Sequence, residues 1–202
     1  NTTAAIADFG RAIDLSPAPP ADAYRQRGLA YLHQQKLPQA ITDFDHAIRL
    51  NPADRESHFN LGLAYMEQND PRRAIRSLDR VLEQPQGQPP EFLATAYFQR
   101  GLAYAHPSLS EYARTIENLD QAVKLTPAND ALFYQRGLAY AHQKNYAEAV
   151  NDYTQALHLN PANPQAFYQR GTAYSRQEEY TRSIEDFDQA IQLSQPAEAA
   201  ET

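Results

Sequence analysis

Arg27-Gly28-Leu29-Ala30-Tyr31 decides the reading of this 202-residue chain, because the same string comes back four more times with small changes. It returns as Leu61-Gly62-Leu63-Ala64-Tyr65, as Arg100-Gly101-Leu102-Ala103-Tyr104, as Arg136-Gly137-Leu138-Ala139-Tyr140 and as Arg170-Gly171-Thr172-Ala173-Tyr174. The glycines step by 34, 39, 36 and 34 residues. A period near 34 with helical patterning specifies stacked helical hairpins. Each hairpin of such an array contacts only its neighbours, so the chain grows unit by unit around no single globular core.

With Ala21 counted as position 1, apolar or small side chains fall at Tyr24, Gly28 and Tyr31, then at Ala40, Phe44, Ala47 and Leu50. These i, i+3, i+4, i+7 spacings predict two amphipathic helices. Lys36-Leu37-Pro38 turns the chain between them. Asn51-Pro52 ends the second helix, because proline cannot continue it and disfavours helix in the residue before it. Gly at position 8 leaves room for the second helix, where a side chain would overpack the contact at a cost of ~1–3 kcal/mol. Alanines at positions 20 and 27 serve the same close approach, and the aromatics at positions 4, 11 and 24 are expected to fill the core.

The full units run over 21–54, 55–93, 94–129, 130–163 and 164–197, with 198–202 as a tail. Residues 1–20 carry half a unit, since Ile6–Pro17 aligns with the second helix Ile41–Pro52. The chain is therefore expected to be a segment of a longer protein, and its unsealed ends to favour a homo-oligomer. The stretch Gln84–Glu91 makes the step of 39 and predicts an extended inter-repeat loop from its Pro and Gly content. The third unit has two extra residues in its inner turn, between His106 and Ser110.

These positions resemble the tetratricopeptide repeat, in which an aromatic stands at position 4, Gly at 8, Tyr at 11, Ala at 20, an aromatic at 24, Ala at 27 and Pro at 32. The unit from Ala21 supplies Tyr24, Gly28, Tyr31, Ala40, Phe44, Ala47 and Pro52. The unit from Asp130 supplies Phe133, Gly137, Tyr140, Ala149, Tyr153, Ala156 and Pro161. The resemblance implies an all-α fold, a right-handed α-solenoid of antiparallel helical hairpins. It also implies that first helices line a concave groove through positions 5, 6, 9 and 13, among others. The groove candidates are then Gln26, Leu29 and His33; Phe59, Asn60 and Leu63; Phe98, Gln99, Leu102 and His106; Tyr134, Gln135, Leu138 and His142; and Tyr168, Gln169, Thr172 and Arg176.

One amide per repeat forms a ladder whose members carry donors and an acceptor, suited to the backbone of an extended peptide. An amphipathic helix is the other occupant such a groove admits. The family's carboxylate clamp for chaperone tails is not reproduced: Arg25 and Asn60 fit it, whereas Leu29, Thr95 and Gln99 do not. The expected function is a non-catalytic scaffold that holds a protein or peptide. The alternatives are a self-associating array, or the interaction part of a larger enzyme or assembly factor.

Arg27, Arg136 and Arg170 at position 7 co-occur with Asp43, Asp152 and Asp186 at position 23, which predicts structural ion pairs inside hairpins. The second unit has neither partner, carrying Leu61 and Ser77. The chain has no cysteine, which removes disulfides, thiolate metal sites and a Cys nucleophile. His33, His106 and His142 share position 13, but neighbouring repeats ~10 Å apart cannot bring them onto one metal, so neither metal nor cofactor is expected. Protonation of these histidines would instead make a groove pH-sensitive. A net charge of −7 argues against nucleic acid. No apolar run reaches the ~20 residues of a membrane span. No Walker loop, HExxH or nucleophile elbow occurs.

Overall fold

The computed structural model describes residues 2–83 and 85–195. The tail 198–202, and Gln84 of the inter-repeat loop, lie outside the described residues. Among the described residues the chain forms eleven helices and no strand. They fall into two compact bodies, Asn1–Leu109 and Ser110–Thr202. The first holds α1 (Thr2–Leu15), α2 (Ala21–His33), α3 (Leu37–Leu50), α4 (Arg55–Glu67), α5 (Pro71–Leu82) and α6 (Pro90–Ala105). The second holds α7 (Tyr112–Leu125), α8 (Asp130–His142), α9 (Tyr146–Leu159), α10 (Pro164–Arg176) and α11 (Tyr180–Ser194). Within each body every helix packs on the next in sequence, and first helices also touch one another, α2 on α4, α4 on α6 and α8 on α10.

Local sequence explains the helix ends. Proline at the first or second position opens α3, α5, α6 and α10, where its missing N–H has no intrahelical role. Asp70, Asn129 and Asn163 cap α5, α8 and α10 by accepting from Arg73, Ala131 and Ala166 backbone amides. Each inner turn passes through a residue of positive φ: Gln35, Asn69, Lys144 and Glu178 at position 15, and Ser110 two places later, past the insertion of the third unit.

The tightest packing is at position 8. A Cβ added to Gly28 would lie 2.8 Å from Phe44, and one on Gly137 2.7 Å from Tyr153. At Gly62 the facing side chain is Leu78, at 2.9 Å. Phe44, Leu78 and Tyr153 are fully buried, as are Ala40, Ala47, Ala149 and Ala156.

Two features differ from the sequence expectation. Aromatics at positions 4 and 11, such as Tyr24, Tyr31, Phe133 and Tyr140, are half-buried rather than core. They flank the position-7 arginine instead: Arg27 lies 5.7 Å from the Tyr24 ring and 6.0 Å from that of Tyr31. Only position 24 reaches the closed interior, because only it points at the glycine. The second difference is at the end of the long loop, where Pro90 and Glu91 join helix α6. Helix α6 starts at Pro90, four residues ahead of the repeat boundary, and thereby sets Phe92 against Phe59 of α4 at 5.4 Å.

Candidate functional site

The repeated arginine has a structural place in both bodies. Arg27 donates to both carboxylate oxygens of Asp43 at 2.7 and 2.8 Å, and Arg136 and Arg170 do the same to Asp152 and Asp186. The aspartate side chains are only 3–7% exposed. An exposed pair would be worth ~0–1 kcal/mol, but these are close to the buried case, where deleting one partner costs about 3–5 kcal/mol. The Asp43 hydrogen bond raises the proton affinity of Arg27, and Asp152 and Asp186 act likewise on Arg136 and Arg170. Burial pushes the Asp152 carboxyl up, against the pull of Arg136.

Three position-7 arginines also reach back to the preceding second helix, at the place of position 25. Arg136 donates to Asp120 at 2.6 Å, Arg100 to Asp79 at 2.6 Å and Arg170 to the Thr154 hydroxyl at 3.2 Å. Arg27 finds Gly10 there, whose added Cβ would lie 3.8 Å from its guanidinium. The arginines therefore join successive hairpins as well as the two helices of one. Sequence comparison of repeats as separate units does not reveal this second partner; the column Asp45, Asp79, Asp120, Thr154 and Asp188 was the available signal.

The groove candidates are all half-buried or exposed on first helices. Asn60, Gln99, Gln135 and Gln169 have no hydrogen-bond partner among the described residues, although each is half-buried. Gln26 differs, since its amide leans on Asp22 at 3.4 Å. In the second body Tyr134 packs on Tyr153 at 6.0 Å and Tyr168 on Phe187 at 5.5 Å. Burial raises the Tyr134 hydroxyl above its ordinary value. Beside them lies a cleft of about 790 Å³, lined by Tyr134, Gln165, Tyr168, Gln169, Phe187 and Ile191 among others. A second cleft of about 320 Å³ is lined by Leu138, His142, Gln169, Thr172 and Arg176. Gln169 borders both.

Several candidates are already engaged. His106 bonds Asn69 at 2.7 Å and Ser108 at 2.9 Å, and so clamps a turn. His142 stacks on Tyr112 at 4.4 Å. Thr172 donates its hydroxyl to the Tyr168 carbonyl at 2.9 Å. Leu29 and Leu138 pack partly on the buried clusters around Phe44 and Tyr153. Phe59 meets Phe92. His33 stands exposed at the end of α2, while Phe98, Leu63 and Leu102 are half-buried on α4 and α6. Arg25 is held by Asp22, Asp54 and Glu56. Among the described residues no group of three or more His, Cys, Asp or Glu could hold a metal ion, and no helix is long and apolar enough to cross a membrane.

A stack of helical hairpins with glycine under a position-24 side chain, repeated through both bodies, defines a helical repeat protein. Family models described as TPR repeat or tetratricopeptide repeat match residues 28–69, 59–114, 131–163 and 152–185. The chain belongs to the tetratricopeptide repeat family. Over 96 residues, 48% of this chain, it is 24% identical to the Hsp70-Hsp90 organising protein of Plasmodium falciparum, covering 17% of that protein. Over 133 residues, 65% of this chain, it is 27% identical to Bacteriophage adsorption protein A of Escherichia coli, covering 13% of it. The matches thus span under a fifth of these longer relatives. Among solved structures, MamA from Desulfovibrio magneticus RS-1 superposes with a TM-score of 0.81 at 20% identity, over 91% of this chain and all of that one. YrrB, described as a TPR protein with an unusual peptide-binding site, gives 0.78 at 19% identity over 92% of both chains.

Proposed function

We propose that this chain is a protein-interaction scaffold that performs no catalysis of its own and holds a peptide segment against the first-helix face of its repeats. Tetratricopeptide proteins are generally non-catalytic adaptors, and family membership supports the scaffold role. The observation that carries the peptide reading is the set of open amides. Gln135 and Gln169 stand half-buried without a protein partner, one per repeat, and Gln169 borders the 790 Å³ cleft. An amide that has no protein partner keeps its donors and its acceptor free for a peptide backbone. First helices ~10 Å apart match about three residues of extended chain at ~3.3 Å each, so each glutamine meets every third peptide unit. Tyr134, Tyr168, Phe187 and Ile191 offer apolar contact between those polar points.

A carboxylate-ended tail is not the ligand favoured. Arg25, the cation that a carboxylate clamp would use, is already ion-paired with Asp22, Asp54 and Glu56. The test uses peptide display to select binders, followed by calorimetry against Gln135→Ala/Gln169→Ala. Loss of about tenfold or more in affinity is the expected result. Unchanged affinity for every selected peptide sinks the ladder.

A second reading rests on α11. Tyr180 and Ile184 are each 60% exposed and Ile191 58%, an apolar stripe that favours self-association. Sedimentation that shows one concentration-independent mass dismisses it.

A further inference from the structure

The second hairpin departs from its neighbours between its two helices and along the outer face of α5. Where the first, fourth and fifth hairpins hold an arginine over a buried aspartate, it has Leu61 and Ser77. Its second helix α5 instead carries Arg72, Arg73, Arg76 and Arg80 in twelve residues. Pro71, Ala74, Ser77, Leu78, Val81 and Leu82 take the buried side of α5, so the arginines share the opposite face. Arg72 and Arg76 are exposed and have no ion-pair partner among the described residues. Arg73 is paired with Asp70 at 3.2 Å and Arg80 with Glu83 at 2.9 Å, both local surface contacts.

The missing bridge leaves a cleft between α3 and α5. It measures about 360 Å³ and is lined by Ile48, Leu61 and Tyr65 together with Arg73, Arg76 and Arg80. A neighbouring cleft of about 500 Å³ shares Ile48, His58 and Arg80 with it. Arg49 stands exposed one turn from Asp45, the carboxylate of the first cleft. An apolar floor with a guanidinium wall suits carboxylates flanked by aliphatic side chains, since guanidinium groups make the stronger charge-assisted hydrogen bonds to carboxylate. It is also an unusual concentration of positive charge for a chain of net charge −7.

We propose that this outer face of the second hairpin is a docking site for an acidic protein segment, separate from the first-helix face. Carboxylates of the segment lie along Arg72, Arg76 and Arg80, and its apolar side chains enter the cleft over Leu61. Asp45 opposes binding, so the site selects segments that leave it unfaced. This site does not depend on the amide ladder.

The full chain is titrated with a fluorescein-labelled peptide of alternating glutamate and leucine, and with its glutamine counterpart. The glutamate peptide is expected to bind about tenfold more tightly at low salt, and the preference to shrink by about 300 mM salt as surface charge is screened. Arg72→Gln/Arg76→Gln abolishes the preference, with helicity unchanged by circular dichroism. Gln135→Ala/Gln169→Ala leaves it intact. Leu61→Arg/Ser77→Asp, which refills the cleft from below, removes it by a second route. Equal affinity for the two peptides overturns the proposal, as does a preference that survives in Arg72→Gln/Arg76→Gln. Stronger competition by an oligothymidylate than by the acidic peptide overturns it as well.

Discussion

In the fourth hairpin Arg136 reaches Asp152 in its own second helix and Asp120 in the one before, while Tyr153 lies under Gly137. In the second hairpin Leu61 and Ser77 stand at the matching positions, Leu78 lies under Gly62, and the arginines turn outward along α5. The helices still pair in the same way. Charge is therefore one means of closing a hairpin, and an apolar side chain of suitable volume is another. What changes is the outside: a bridge consumes its arginine internally, and its absence opens a cleft. Replacing a buried ion pair by apolar side chains is often neutral or stabilising, whereas removing half of it is not.

That contrast is broken most directly at Arg136. Arg136→Leu alone leaves the Asp152 carboxylate buried without its partner and is expected to cost about 3–5 kcal/mol. Adding Asp152→Ser copies the second hairpin and should restore most of the loss. Urea unfolding followed by circular dichroism reads both. If the double variant is as unstable as the single one, the two closures are not equivalent.

Tyr153 sharpens the comparison within the aromatic column. Its hydroxyl is buried without a hydrogen-bond partner, whereas the first and fifth hairpins carry Phe44 and Phe187 at that place. Tyr153→Phe is expected to gain ~1 kcal/mol, the lower end of the cost of an unpaired buried polar group. A lower unfolding midpoint would mean that the hydroxyl is satisfied in solution.

The smallest effect concerns Asp45, which the second hairpin meets with Leu61 instead of an arginine. Burial pushes its carboxyl above the ordinary value, while Arg49, His46, Arg73 and His58 pull it down. A carboxyl raised on folding favours the folded state fully below its unfolded value, and that contribution is lost as pH rises through the folded value. Asp45→Asn should therefore raise the melting temperature at pH 7 relative to the parent, with the difference fading by about pH 3. A gap that stays constant across this range argues against burial as the cause.

The architecture was legible because its determinants are steric and local. Glycine at Gly28, Gly62, Gly137 and Gly171 answers a large side chain sixteen residues on, and that spacing survives in sequence. The links between repeats were less legible. Arg136 to Asp120 runs backward across sixteen residues into another unit, and thus falls outside any comparison of units one by one. Arg25 was open to a reading as a ligand-binding cation because Asp54 lies at the far end of its own unit and Glu56 in the next. His106 lost its likeness to His33 and His142 because the inserted turn carried it onto Asn69. The open amides of Gln135 and Gln169 could be located in sequence, but their lack of partners could not.

The stability of a repeat array is a sum of terms for each unit and terms for each junction. Arg136 enters both sums at once, through Asp152 for its own hairpin and through Asp120 for the junction with α7. Helices α7 to α9 are thereby tied into one cooperative block. At Leu61 no side chain plays this double part. There the junction is served by Arg25 with Glu56, whose carboxylate is largely in solvent. Salt screens the contact with Glu56, 62% exposed, more than that of Arg136 with Asp120, 39% exposed. The coupling between the first two hairpins is therefore set by the salt environment to a greater degree than the coupling between α7 and α8.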